Sequence, residues 1–131
     1  MKKVIIIVLF FICVTGYSQV IFHIGESSRN IFSKYQNSSY KTEFVTLPNG
    51  EEVFDIHTDD VGPVRLWFNK DNICIQQQLH AFTREKYYEL CDIFKISDAF
   101  KTQYTSHKKY KLKIITEGYN GWYSLLIHKI W

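Results

Sequence analysis

Residues 110–130 read YKLKIITEGYNGWYSLLIHKI, and the reading of this stretch decides the fold. Tyr110, Leu112 and Ile114 alternate with Lys111 and Lys113, as on a strand with one dry face and one wet face. Gly118 to Gly121 supply a turn, and Trp122 to Ile130 resume as a strand that is apolar on both faces. Two strands joined this closely run antiparallel. The last of them has no polar face to give to water, so it is expected near the centre of a sheet or packed on both sides.

Two further hairpins stand upstream. In KTEFVTLPNGEEVFDIHT (residues 41–58), Val45 and Leu47 alternate on the first strand, and Phe54 and Ile56 on the second. Pro48 presets one turn angle and Gly50 admits the positive φ that closes the loop. In VRLWFNKDNICIQQQ (residues 64–78), Val64, Leu66 and Phe68 face one way while Arg65 and Trp67 face the other. Asn69 to Asn72 form the turn. Ile73 and Ile75 are then expected on the apolar face, with Cys74 opposite.

Elsewhere the period changes to that of a helix. IGESSRNIFSKYQNSSY (residues 24–40) predicts a helix of about ten residues, capped by Ser27 or Ser28. Ser28, Ile31, Phe32 and Tyr35 fall on one of its faces. TREKYYELCDIFKISDAF (residues 83–100) places Tyr87, Leu90, Cys91 and Phe94 in one helical stripe, with Thr83 at the N-cap. Residues 97–107 show no decisive pattern and are expected mostly as loop.

The order α-β-β-β-β-α-β-β, with short links between strands, predicts an α+β fold. The expected architecture has two layers: a roughly six-stranded antiparallel sheet with two helices packed on one face. In this outline, and in IGESSRNI (residues 24–31) opening the first helix, the chain resembles the helix-plus-antiparallel-strand units of β-lactamase-inhibitor-like exported proteins. The resemblance implies the fold and carries no functional residue across.

The chain opens MKKVIIIVLFFICVTGYSQ. Two lysines, an 11-residue apolar run from Val4 to Val14, and small residues at Gly16 and Ser18 predict a secretory signal over residues 1–18. The run is too short to span a bilayer, which takes about 20 apolar residues. Residues 19–131 would then form a single exported domain, periplasmic or secreted, with no transmembrane span. Loss of Lys2 and Lys3 lowers the formal charge from +3 to +1, so charge gives no reason to propose nucleic acid as a partner. Cys13 leaves with the signal, and Cys74 and Cys91 remain as one candidate disulfide. The alternative is two reduced, buried thiols.

FDIHTDDVGP (residues 54–63) is the stretch that most resembles chemistry. Asp55, His57 and Asp59 share one strand face, roughly 7 Å from one to the next. Zinc ligands must converge to roughly 2 Å from one point, and a straight row does not converge unless it bends or recruits His80 or His23. The row is read as the wet face of a strand. No Gly-x-Ser-x-Gly elbow and no phosphate-binding loop is present. No metal, cofactor or catalytic residue is expected.

Lys101, Lys108, Lys109, Lys111 and Lys113 form the one basic cluster, read as an outer strand face. The aromatics are more unusual: residues 19–131 hold 8 Phe, 8 Tyr and 3 Trp. Trp67, Tyr119, Trp122 and Tyr123 are the candidates for a ligand-binding surface, because exposed rings stack on sugars or anchor protein partners. The resulting expectation is a non-enzymatic exported binding domain whose partner is a protein or a glycan of the envelope or exterior. The alternatives are an inhibitor or immunity-type protein, and a small secreted hydrolase using Asp55, His57 and Asp59.

Overall fold

A computed structural model of the chain describes residues 21–57 and 63–130. The predicted signal (residues 1–18), Asp59 and Asp60 lie outside the described residues. The elements are α1 (Ser28–Gln36), β1 (Lys41–Thr46), β2 (Glu52–His57), β3 (Pro63–Phe68), β4 (Cys74–Ala81), α2 (Arg84–Phe94), β5 (Thr102–His107), β6 (Tyr110–Tyr119) and β7 (Trp122–Ile130). Among the described residues, the strands form one antiparallel sheet in the order β1-β2-β3-β4-β7-β6-β5. Strand β7 lies between β4 and β6 and joins the β1–β4 meander to the β5–β7 meander, the central place its two apolar faces require.

Among the described residues the sheet has seven strands, not six. The additional strand is β5, which falls inside the segment expected as loop. Its sequence, TQYTSH, has no apolar face to reveal it, because it lies at the sheet edge.

Both helices begin as their sequences dictate. The Ser27 side chain accepts from the Asn30 backbone N–H at 3.2 Å, and Thr83 accepts from that of Lys86 at 3.2 Å, satisfying donors that the first turn leaves free. Helix α2 stops at Lys95, whose left-handed φ of 56° turns the chain so that the Ile96 N–H reaches the Cys91 carbonyl. All four residues of its predicted stripe, Tyr87, Leu90, Cys91 and Phe94, are buried.

The register aligns one core row across every strand: Phe44, Phe54, Leu66, Gln77, Ile127, Ile114 and Gln103. Helix residues meet this side of the sheet. The Phe32 ring lies 4.8 Å from Phe54, Tyr87 stacks on Tyr123 at 4.9 Å, and Phe94 lies 4.9 Å from His107. The other side carries the row Glu43, Asp55, Arg65, Gln78, Leu126, Ile115 and Thr102.

A register shift between Trp67 and Phe68 corrects the expected facing of Cys74. The irregularity sets Cys74 opposite Phe68, fully buried in the core, and leaves Ile73 and Ile75 half-buried. An extra residue in one strand flips every side chain beyond it. Val45 is corrected too: it pairs with Val53 on the far face, and Phe44 is the β1 residue that joins the core row.

The segment before α1 is stitched to β4 by one buried side chain. Gln77 accepts from the His23 N–H at 2.8 Å through Oε1 and donates to the Ile21 carbonyl through Nε2. Its amide thereby mimics a strand partner and holds Phe22 and Ile24 in the core. Among the described residues, no helix is long and apolar enough to cross a membrane.

Candidate binding site

The site grows from the β6–β7 turn. Asn120 and Gly121 have φ of 50° and 76°, the pair of positive values that a two-residue hairpin of type I′ needs. This tight turn sets Tyr119 directly opposite Trp122. Tyr119 is 76% exposed and Trp122 40% exposed. The next residue, Tyr123, turns to the other face and stacks on Tyr87 with the rings 16° apart.

The segment between α2 and β5 supplies the opposing wall. Thr116 donates its hydroxyl hydrogen to the Ala99 carbonyl at 2.7 Å, and its oxygen accepts from the Lys101 N–H at 3.1 Å. Tyr87 Oη donates to the Asp98 carbonyl at 2.7 Å. Phe100 is thus pinned on both sides, and its ring lies over Gly118. A Cβ at Gly118 would sit 2.3 Å from Phe100 Cζ, so only glycine leaves room for the ring.

Phe100, Gly118 and Tyr119 form a ridge at the sheet edge between two clefts that open on opposite faces of the sheet. One cleft, of about 470 Å³, is walled by Arg84, Tyr87, Tyr88, Asp98 and Tyr123 together with the ridge. The other, of about 460 Å³, is walled by Lys101, Thr102, Ile115, Glu117 and Trp122 together with the ridge. Phe100 is 56% exposed and Tyr88 43% exposed, so the rings present apolar area to water beside a core that is already filled.

The structure therefore brings together Tyr119, Trp122 and Tyr123 and separates Trp67 from them. Trp67 lies on β3, where its indole N–H donates to Glu51 Oε2 at 3.2 Å. Tyr123 forms a floor, being 9% exposed. Phe100, Tyr88, Arg84 and Asp98 were missed by sequence reasoning; the lone phenylalanine in the polar run SDAFKTQY (residues 97–104) was the available signal.

The acidic–imidazole row is occupied by cross-strand pairs. Arg65 donates to both carboxylate oxygens of Asp55, each at 2.8 Å, and His57 Nε2 lies 3.0 Å from Glu43 Oε1. Among the described residues no group of three or more His, Cys, Asp or Glu is placed to hold a metal ion. His80 packs against Trp122 with ring centroids 4.7 Å apart. His23 lies under α1, with Nε2 2.6 Å from Tyr35 Oη and Nδ1 3.4 Å from Glu26 Oε1. Burial pushes Tyr35 up to about 12, so its hydroxyl keeps its proton beside His23. This group lines neither cleft.

The predicted disulfide is also corrected. Cys74 and Cys91 are free, buried thiols, because the strand irregularity turns one into the sheet core while the other sits on the buried stripe of α2. Burial pushes the Cys74 thiol up to about 12 and raises Cys91 as well, which keeps both protonated and inert. Electrophoretic mobility and the urea midpoint are expected to be the same with and without reductant. A mobility shift on reduction would contradict the structure.

Four histidines give stability a pH dependence of one sign. Burial lowers the pKa of His23, His80, His107 and His128 below 6.5. The unfolded chain therefore binds more protons than the folded one as acidity increases. The stability these groups contribute is complete above pH 6.5, the unfolded value, and is lost as pH falls below it through the folded values. Urea midpoints measured from about pH 7.5 to about pH 5 are expected to decline, and His23→Asn to flatten part of the decline. A midpoint that rises on acidification would refute this assignment.

No protein-family model matches the chain, and neither a curated protein nor a solved structure matches it.

Proposed function

We propose that this is a small exported binding domain without catalytic activity, and that the aromatic end around Phe100, Tyr119 and Trp122 is its binding surface. On this reading the domain has two layers, with both helices on one sheet face. The ring contacts of Phe32, Tyr87 and Phe94 with that face support the arrangement. The leader over residues 1–18 would deliver the chain to the periplasm or the exterior, and its partner is a component of the envelope or the surroundings.

One observation carries the proposal. Exposed rings, set by a tight turn and by three hydrogen bonds of Thr116 and Tyr87, frame two clefts at one end of the domain while keeping 40–76% of their surface in water. Solvent-exposed rings on a fixed backbone bury large area on binding, as binding hot spots do. The test is retention of the purified protein on washed envelope from the source cells. Tyr119→Ala combined with Trp122→Ala is expected to reduce retention at least tenfold, whereas Tyr104→Ala, which removes an equally exposed ring on β5, is expected to leave it unchanged. Equal retention of all three would reject the surface.

A further inference from the structure

We infer that the face of the sheet opposite the core row is the contact surface of a symmetric dimer. A second copy of this chain packs on strands β2, β3, β4, β7 and β6, with the two-fold axis running along β4. Tyr119 and Trp122 lie beyond the last row of this surface, and the dimer stands or falls independently of the aromatic end.

Among the described residues, every ring contact between a helix and a strand falls on the core-row side. The other face has a centre poor in charge. From Gln76 to His80 on β4 and from Ser124 to Ile130 on β7, no Lys, Arg, Asp or Glu points to this side. Trp67, Ile115, Leu126 and Ile130 are half-buried apolar residues on it. Arg65 already closes both of its hydrogen bonds on Asp55, so this pair enters an interface neutralised. Charges unpaired within the chain stand further out, and an apolar centre with a polar rim is the anatomy of a protein–protein contact.

The face is its own complement, which selects a second copy as the occupant. The β2–β3 flank carries Glu51, Asp55 and Arg65, with one negative charge in excess. The β6 flank carries Lys111, Lys113 and Glu117, with one positive charge in excess. Glu51 points to this side, where it accepts from the Trp67 indole. The ladder from Trp67 through Gln76 and His128 reaches Lys113, which sets Glu51 level with Lys111 in the row beyond. Within one chain the two are four strands, roughly 19 Å, apart. A two-fold along β4 lays β2 of one copy over β6 of the other at about 10 Å, a gap that a glutamate and a lysine span together. An axis across the strands would instead stack each flank on its own copy, excess charge on like charge. On the axis Gln76 and Gln78 meet their own copies, and an amide both donates and accepts.

The area is sufficient. Five strands spaced about 4.8 Å and roughly 25 Å long present on the order of 600 Å² per copy, and two such faces reach the roughly 1,200 Å² of a stable specific interface. The edge strands β1 and β5 stay outside, where sheets crossing at about 30° diverge. Because the axis runs along the strands, both aromatic ends emerge at the same end of the dimer and engage one partner surface together.

Sedimentation equilibrium of the purified protein at low salt and about 10–100 µM is expected to give twice the chain mass. Glu51 and Lys111 are exposed. Glu51→Lys and Lys111→Glu each reverse two symmetry-related contacts and are each expected to weaken the dimer about tenfold. The two changes together are expected to restore it to within about threefold of wild type. Leu126→Arg, near the centre, is expected to leave a monomer. A wild-type monomer at about 100 µM would overturn the inference. So would a dimer indifferent to Leu126→Arg or to both reversals, which would put the contact elsewhere. A double reversal no tighter than the single ones would overturn the axis and with it the pairing on which the dimer is argued.

Discussion

Replacing Gln77 with leucine is expected to destabilise the fold by about 2–4 kcal/mol, through loss of polar partners and with no cavity formed. The side chain is fully buried and serves two backbone groups of the segment before α1, the His23 N–H and the Ile21 carbonyl. Leucine has nearly the same volume and removes both partners. An orphaned buried backbone group costs roughly 1–3 kcal/mol; Ile21 is half-buried and can turn to water, which places its share at the lower end. Urea unfolding at neutral pH should show a lower midpoint with an unchanged slope. Hydrogen exchange should accelerate first at His23.

Gln77→Glu refines the same prediction. A protonated carboxyl group accepts and donates as the amide does, whereas a carboxylate only accepts and cannot satisfy the Ile21 carbonyl. Full burial raises the folded pKa of such a group above its unfolded value of about 4.3. Its stability, measured against the wild type at each pH, should therefore be nearly intact below that value and fall as pH rises through the folded pKa. A deficit that does not change with pH would show that the amide's bonds are not what holds the segment.

Gly118→Ala is expected to cost more than about tenfold in envelope retention while changing stability by about 1 kcal/mol or less. The backbone at Gly118 needs no positive φ, so alanine introduces no strain there. The added Cβ would instead lie within 2.3 Å of the Phe100 ring, and the ring must leave. Since Phe100 walls both clefts, its displacement removes a wall from each. Phe100→Ala reaches the same end by deleting the ring. The two variants should bind equally poorly. Wild-type retention by Gly118→Ala beside a loss in Phe100→Ala would mean that the ring does not need its seat on the glycine.

What could be read from the sequence follows from how each residue reports its surroundings. The stripe Tyr87, Leu90, Cys91 and Phe94 and the alternation Tyr110, Leu112, Ile114 announced themselves because each has a wet side for contrast. Strand β5 did not, since an edge strand of Thr, Gln, Tyr, Ser and His has no apolar period. The facing of Cys74 was misread because a register shift at Trp67 and Phe68 leaves no mark on the pattern. Gln77 looked like one of three equivalent glutamines; only the fold shows that its neighbours Gln76 and Gln78 face away from the core row.

The site was legible to the extent that it is local. Tyr119, Trp122 and Tyr123 are held together by one turn, and that turn is written in Asn120 and Gly121. Phe100 comes from 18 residues or more away and is delivered by Thr116, whose hydroxyl and backbone bonds have no sequence signature. Trp67 shares the residue type but not the place, because strand parity cannot tell which end of a sheet a ring will occupy.

Site-specific photo-crosslinking in the source cells tests the central claim most directly. A benzophenone side chain placed at position 119 is compared with one at position 104, which is similarly exposed on β5. The account predicts a covalent adduct from position 119 and none from position 104. Adducts from position 104 alone, or from neither position, would contradict it.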